Sequence, residues 1–409
     1  MQVKKVLNSR IFPLLMINFI GALGMSIVIP FLVFLVEDFG GNGLIYGLMG
    51  ATYPLFQFLF GPVLGMWSDR WGRKRVLLLS QAGTLISWTI FLIGLLSPVT
   101  VLTTFEGSVF GAFTLTMPLL LLFAARAMDG LTGGNVTVAN AYLADISDDD
   151  NRQRNFGWMS AAANLGFILG PAMAGLLAGG PQRGMYPAIA AIAISLLGLL
   201  LIIFVLPEST QEGEGEEEKE DYQVKDILQI KGIPYLIILY FLIFLGFNFF
   251  YTAFPVHAQK SLEWNEAQLG FYLSGLSLLM LLVQGPGLSY IGGRFRDAGL
   301  VVAGAGFLAL NFYLIMSGEA IPTLLALLFF AAGNGVMWPS FMSILAKAGK
   351  KSQQGAIQGL AGSGGSLASI IGLVSGGFLY TLIGPWTFGV AGTILLLVAL
   401  LSLRILNKN

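Results

Sequence analysis

Glu208-Ser-Thr-Gln-Glu-Gly-Glu-Gly-Glu-Glu-Glu-Lys-Glu-Asp221 interrupts a chain otherwise dominated by long apolar runs. A stretch this acidic cannot bury enough surface to fold, so residues 207–232 are expected to form a solvated linker; docking of a basic partner is the alternative use of such a run. Six apolar runs precede it, at 11–36, 44–67, 75–97, 117–143, 154–179 and 185–206. Six follow, at 233–258, 266–290, 298–317, 320–346, 354–381 and 386–406. Each is near the ~20 residues that a helix needs to cross the hydrocarbon core, and none shows the ten-residue alternation of a membrane barrel. The fold class expected is an all-α membrane protein, with transmembrane helices in two pseudo-symmetric six-helix bundles, 1–206 and 233–409. The runs are called spans 1 to 12 below.

Composition agrees. Of 409 residues, 56% are hydrophobic and 11% charged, with 53 glycines and a mean hydropathy of +0.78. A soluble chain carries about a quarter charged residues. With no cysteine there is no disulfide, thiolate metal site or cysteine nucleophile, and His257 alone cannot make a multi-histidine metal site. No constellation combines nucleophile, base and oxyanion site, and no G-x4-G-K-S/T phosphate loop is present, so neither an enzyme nor ATP drive is expected. Lysine plus arginine and aspartate plus glutamate are 22 each, so the balance implies no polyanion surface and no nucleic-acid partner. No cofactor and no metal are called for.

Charge placement orients the chain. With both termini and the even-to-odd loops inside, every one of the 22 basic residues except Arg126, Arg183 and Lys260 falls on the cytoplasmic side. Lys4, Lys5 and Arg10 before span 1 resemble a signal peptide, but the apolar run is too long and lacks a small-residue cleavage site, so it is expected to remain as a helix. A multi-pass protein of the cell membrane, in contact with the bilayer and monomeric, follows as the expectation.

The two halves look related. Phe60-Gly-Pro-Val-Leu near the end of span 2 matches Gln284-Gly-Pro-Gly-Leu near the end of span 8, each before a basic loop. Glycines 157, 170 and 175 in span 5 match 359, 372 and 377 in span 11, at a constant offset of 202. Weak repeats of this kind point to a transporter with its site between pseudo-symmetric halves; chance matching of glycine-rich helices is the alternative.

The loop between spans 2 and 3 reads Gly65-Met-Trp-Ser-Asp69-Arg70-Trp-Gly72-Arg73-Lys74-Arg75. Glycine permits close approach and sharp turns, an acid can pair near a helix start, and the basic cluster holds the loop in the cytoplasm. A topology-setting basic loop explains the arginines but not Gly65, Asp69 and Gly72. The stretch closely resembles the G-x-x-x-D-R-x-G-R-K/R signature of the major facilitator superfamily. The resemblance implies that fold, and for this loop a part in conformational switching.

Span 5 carries Gly157, Gly166, Gly170, Pro171 and Gly175, small residues for tight packing and a proline for a bend. The pattern is similar to the span 5 signature of proton-coupled antiporters in that superfamily, with Ala174 where the signature has glycine. Span 4 offers Arg126-Ala-Met-Asp129-Gly130, similar to the span 4 signature of drug/proton antiporters, whose arginine the resemblance associates with proton transfer. Ionisable residues inside a span are costly and usually functional, and Arg126 and Asp129 at i and i+3 can face each other. Two readings stay open: a neutralised structural pair, or a proton site at Asp129 governed by the geometry of Arg126.

The pattern most resembles the tetracycline/proton exporter branch, through Ser68-Asp-Arg70, Leu77-Leu-Leu-Ser80, Gly130-Leu-Thr-Gly133, Ala141-Tyr-Leu-Ala-Asp145-Ile-Ser and Phe156-Gly-Trp158. Those exporters carry intramembrane acids in spans 1 and 3, and Gly21 and Ser87 stand at the corresponding positions here, which counts against tetracycline itself as substrate. Residues 98–116, with Glu106, look like an insertion forming an external loop or short re-entrant piece. By the same resemblance spans 1, 4, 7 and 10 line a cavity, which proposes Asn18, Asn135, Asn248, Tyr251, Asn334 and Trp338 as substrate contacts. Each has a plainer role as an interhelical bond or packing residue. His257 reads as an interfacial residue without a transport role. The function expected is proton-coupled export of a small amphiphilic drug or metabolite by alternating access. The alternatives are a symporter or uniporter of a sugar or organic acid on the same fold, and a non-transporting receptor or scaffold.

Overall fold

The computed structural model describes residues 11–107, 111–133, 135–147, 149–177, 184–208, 224–291, 294–349 and 353–406. The basic start with Lys4, Lys5 and Arg10, the acidic run after Glu208 and Arg183 lie outside the described residues. Among those described, eleven helices are long and apolar enough to cross a membrane. They follow the expected spans closely: Gly43–Trp71, Arg73–Leu96, Asp149–Leu177, Met185–Phe204 and Ile233–Lys260 are spans 2, 3, 5, 6 and 7. Asp297–Ile315, Ala320–Ala346, Gln354–Ile383 and Trp386–Leu406 are spans 9 to 12. Helix is the only option for a single apolar segment in lipid, because every backbone N–H and C=O must be bonded within the segment.

The interruptions have local causes. Span 1 is Phe12–Ile27 and Ile29–Asp38, parted at Val28 just before Pro30. Span 8 runs as Glu266–Leu282, winds as a π-turn over Val283–Gly287 and closes with Leu288–Ile291. That π-turn holds the Gly-Pro-Gly which the sequence pairs with Gly61-Pro62-Val63, yet span 2 stays α-helical through Pro62. The second glycine supplies the backbone freedom that Val63 lacks. Span 4 is Met117–Leu131 followed by Asn135–Asp145, with Thr132 and Gly133 outside the helix. The Gln57 amide donates to the Gly133 carbonyl at 2.8 Å, satisfying a group freed by the break.

The chain forms two compact units, one of residues 1–42, 52–215 and 265–274, the other of 43–51, 216–264 and 275–409. Within the first, span 5 packs on span 1 through its glycines. A Cβ at Gly166 would lie 2.7 Å from the Phe19 carbonyl, and one at Gly170 would meet Ser26 Oγ and stand 2.9 Å from the Leu23 carbonyl. The Ser26 hydroxyl donates to the Gly166 carbonyl at 3.1 Å. Within the second, Gly372 of span 11 stands against Asn248 of span 7, where a Cβ would be 2.7 Å from that of Asn248. The Asn248 amide reaches Ser369 Oγ at 3.0 Å. Gly170 and Gly372 are partners in the 202-residue offset, so the repeat seen in sequence corresponds to one packing arrangement made twice. Lipid offers no hydrophobic drive for helix association, and small residues let backbones approach within dispersion range.

The insertion at 98–116 is a β-hairpin. Strand β1 (Val101–Phe105) pairs antiparallel with β2 (Phe113–Thr116), with an irregularity between Val101 and Thr103. The Thr114 amide donates to the Gly40 carbonyl at 2.8 Å, and Thr116 Oγ1 donates to the Phe39 carbonyl at 2.9 Å. Gly40 has φ +93°, and a Cβ there would meet the Thr114 carbonyl at 2.9 Å. The hairpin is therefore docked on the turn between spans 1 and 2.

The expected linker is anchored at its start. The Lys74 amide donates to Glu208 Oε1 at 3.0 Å, and the Tyr142 hydroxyl donates to the Pro207 carbonyl at 2.8 Å. A short helix, Val224–Gln229, with Ile227 buried, stands where the composition had predicted only solvated chain. Its apolar Ile227 gives that turn something to bury.

Candidate functional site

Span 4 crosses span 2 at a glycine and span 3 at another. A Cβ at Gly130 would fall 2.5 Å from the Tyr53 carbonyl and 2.8 Å from Phe56 Cβ. On the other side Gly83 accommodates the Thr132 side chain. These crossings set the two ionisable residues of span 4 between spans 2 and 3. Arg126 lies over the ring face of Tyr53, 5.2 Å from its centroid. Asp129 accepts a hydrogen bond from Thr84 Oγ1 of span 3 at 2.9 Å. The Tyr53 hydroxyl in turn accepts from the Gln57 amide at 3.1 Å.

The pair itself is loose. Arg126 Nη1 and Asp129 Oδ2 are 3.9 Å apart, beyond hydrogen-bond distance, with side-chain exposures of 12% and 14%. Arg126 Nε is buried without a hydrogen-bond partner among the described residues. A neutralised structural pair in lipid would be expected to close to bidentate contact, since each charge is costly there without its partner. At 3.9 Å the two groups are within ion-pair distance but share no hydrogen bond, and the carboxylate takes its hydrogen bond from Thr84. Ser87, which stands where the resembling exporters carry their span 3 acid, donates instead to the Ala125 carbonyl at 2.8 Å. Asp129 meets the same span 3 one helical turn away, at Thr84. Spacing within span 4 paired Arg126 with Asp129, but Thr84, Tyr53 and Gln57 come from other spans and carry no motif.

The loop between spans 2 and 3 is a charge cluster. Arg73 Nη1 donates to Asp69 Oδ1 at 2.5 Å and to Ser68 Oγ at 2.7 Å, and its Nε donates to Asp145 Oδ2 at 2.9 Å. One guanidinium thus joins the end of span 2 to the end of span 4. Gly72 has φ +95°, and a Cβ there would be 2.6 Å from Glu208 Oε1, so the turn and the anchored linker both need glycine. Gly65 is different: no atom comes within 4 Å of a Cβ placed on it, so it permits no close approach among the described residues. Arg70 is exposed. In span 5, Gly166, Gly170 and Gly175 each face a neighbouring backbone, whereas Gly157 faces open space. Pro171 lies within the continuous helix.

The proposed cavity residues divide. Asn18 donates to the Met159 carbonyl at 2.8 Å, and Asn248 donates to the Phe244 carbonyl at 2.7 Å as well as to Ser369, so both amides hold spans together. The side chain of Asn135 lies outside the described residues. Tyr251 is 41% exposed and touches Phe250 edge-on. Asn334 is buried, and among the described residues its amide donates to the Met280 sulfur at 3.6 Å. Trp338 belongs to an aromatic group that sequence reading missed: Tyr240 and Phe244 stack at 4.8 Å, and Trp338 stands edge-on to them at 5.4 and 5.3 Å. The i, i+4 spacing of Tyr240 and Phe244 and the bare Gly365 beside them were the available signals. His257, three residues from the end of span 7, is fully buried, its Nδ1 2.9 Å from the Tyr380 hydroxyl and its ring 5.1 Å from that of Phe388. Among the described residues no group of three or more His, Cys, Asp or Glu could hold a metal ion.

Comparison with known proteins places this architecture. The profile of the Major Facilitator Superfamily matches residues 14–239 and 236–409. The chain is 27% identical to the tetracycline resistance protein, class D, of Salmonella ordonez over 375 residues, covering 90% of this chain and 88% of the relative. It is 26% identical to multidrug resistance protein 2 of Bacillus subtilis (strain 168) over 407 residues, covering 96% and 95%. A crystal structure of a D-xylose-proton symporter superposes with a TM-score of 0.78 at 17% identity over 96% of this chain and 97% of that one, a likeness of fold.

Proposed function

This chain belongs to the Major Facilitator Superfamily of membrane transporters, and we propose that it exports a small amphiphilic drug or metabolite in exchange for protons. It is a multi-pass membrane protein and not an enzyme. The observation that carries the antiport reading is the open Arg126–Asp129 pair inside span 4, with Thr84 of span 3 as its hydrogen-bond donor. An acid supplied from span 4 against span 3 stands in for the one that Ser87 does not provide. The full-length likeness to tetracycline and multidrug resistance proteins supports export and drug-like substrates.

In this reading Asp129 takes up a proton when its site opens to one side and gives it up when it faces the other, and Arg126 is drawn toward the carboxylate or released by that change. Alternating access comes from rocking of the bundles 1–206 and 233–409, with the Asp69–Arg73–Asp145 cluster holding one closed state at its cytoplasmic loops. Gly166 and Gly170 let span 5 bear on span 1 during that motion, while Pro171 and Gly175 meet span 8 at Gly270 and Ala267. Trp338, with Tyr240 and Phe244, offers the flat apolar surface that an aromatic substrate needs, and Asn334, Tyr251 and Asn135 are further contacts. Both termini are cytoplasmic, and the chain works as a monomer.

The test is transport in proteoliposomes under an imposed pH gradient, with candidate efflux substrates. Wild-type protein should drive substrate against its gradient and lose that drive with an uncoupler, whereas Asp129→Asn should insert and fold but show no proton-driven movement. Full gradient-driven export by Asp129→Asn would remove Asp129 from the coupling. Substrate and protons moving in the same direction would favour the symport alternative.

A further inference from the structure

We propose that the β1–β2 hairpin is a lipid-contacting element, seated in the headgroup–acyl boundary at the end of span 3 opposite the Arg70–Arg75 loop. Span 3, Arg73–Leu96, is 24 residues long. At 1.5 Å per residue it covers about 36 Å, which exceeds a hydrocarbon core of ~30 Å, so the hairpin that follows begins at the far interface. From Ser97 to Met117 the only charged residue is Glu106, directly after β1. An external loop in water is normally far more polar.

The hairpin has two unlike faces. Pairing sets Phe105 opposite Phe113 and Thr103 opposite Leu115, and the Phe105 and Phe113 rings stack at 4.7 Å. Thr104 and Thr114 occupy the other face, and Thr114 is the residue that meets Gly40. On β2 the Thr114 and Thr116 side is committed to the protein, while every residue of β1 is exposed, Leu102 at 44% and Phe105 at 47% among them. This surface continues the outward apolar side chains of the membrane spans, from Ile93 and Leu96 of span 3 to Met117 and Leu120 of span 4. That continuity with the lipid-facing band assigns the bilayer as occupant.

The depth is limited from both sides. Among the described residues, the outer edge of β1 has no backbone partner, whereas the Thr114 N–H of β2 is bonded to the Gly40 carbonyl. An unpaired edge is not tolerated in hydrocarbon, but water and headgroups satisfy it at the boundary. Phenylalanines with threonines suit that zone, where apolar groups reach the acyl chains and hydroxyls stay wet. The hairpin therefore ties the turn between spans 1 and 2 to one leaflet, independently of the substrate reading.

The absence of cysteine makes the test direct. Val101→Cys, Leu102→Cys, Phe105→Cys and Glu106→Cys variants are labelled singly with an environment-sensitive fluorophore and reconstituted in vesicles of zwitterionic lipid, with gel-filtration profiles checked against the parent. Labels at 102 and 105 should shift to the blue on reconstitution and lose about half their emission with lipids brominated high on the acyl chain, while the label at 106 should respond to aqueous iodide. The label at 101 reads the exposed start of β1 should either variant fail to fold. Iodide quenching at 101, 102 and 105 alike would return the hairpin to water and overturn the proposal. Protection from both quenchers, with disulfide cross-linking between Leu102→Cys copies, would show edge-to-edge pairing of two chains and overturn it equally.

Discussion

Spans 5 and 11 were built alike, and spans 4 and 10 were not. Gly170 receives span 1 at Ser26, and Gly372, its partner in the repeat, receives span 7 at Asn248. Each contact is reinforced by a polar side chain of the inner span, Ser26 to the Gly166 carbonyl and Asn248 to Ser369 Oγ. Span 4, by contrast, carries Arg126 and Asp129 at 3.9 Å, whereas span 10 has Asn334 and Trp338 in comparable stretches. Close packing constrains both halves by the same sterics. Charge inside lipid is costly, and one half holds it. The duplicated part is scaffold and the unduplicated part is the candidate chemistry.

If that division is right, the largest effect belongs to the unduplicated side. Asp129→Asn should reduce gradient-driven transport by at least about tenfold while the folded fraction, followed by gel filtration, stays near wild type. The asparagine keeps an acceptor for Thr84 but cannot exchange a proton. The scaffold responds differently. Gly170→Ala should cost about 1–3 kcal/mol in detergent unfolding, because its Cβ meets Ser26 Oγ, the Leu23 carbonyl at 2.9 Å and the Ile27 amide nitrogen at 3.0 Å. Adding Ser26→Ala should recover only part, since the two backbone atoms remain. Gly372→Ala should destabilise in the same way but less, with the Leu245 carbonyl at 3.1 Å as the nearest backbone obstacle beside Asn248 Cβ. A larger loss for Gly372→Ala than for Gly170→Ala would break the ranking.

Trp338→Ala should leave proton coupling in place and weaken binding of aromatic substrates by roughly threefold to tenfold, measured by equilibrium binding, through loss of an edge-on ring beside Tyr240 and Phe244. The smallest effect is expected at Asp297. Its carboxylate accepts from Lys347 Nζ and Ser343 Oγ, each at 2.7 Å, but the Lys347 side chain is 72% exposed. Asp297→Asn should therefore change stability by less than about 1 kcal/mol.

Much of this was legible in the residues. Apolar runs of membrane length, the acidic break at 208–221 and the basic loops follow from solvation free energies that act on each segment separately. The Gly-Pro match between spans 2 and 8 was legible too, but its different outcome was not, because one span tolerates proline as α-helix and the other winds into a π-turn at an added glycine. Asn18 and Asn248 had two uses open in sequence, cavity contact and interhelical bond, and only the structure supplies the acceptors that make the second. His257 lies near the end of span 7, and its partners Tyr380 and Phe388 come from distant stretches that no motif announces.

By itself, then, the sequence determined that the chain crosses a membrane repeatedly, where its acidic run begins, and that span 4 holds two opposite charges. Only the tertiary structure decided that those charges lie 3.9 Å apart, with Thr84 on one side and Tyr53 on the other, that Arg73 joins Asp69 to Asp145, and that β1 and β2 pair and dock on Gly40. Transfer free energy is a property of each segment, and it can be read one residue at a time. Hydrogen bonds and ion pairs depend on distances between segments, and those exist only once the helices have packed.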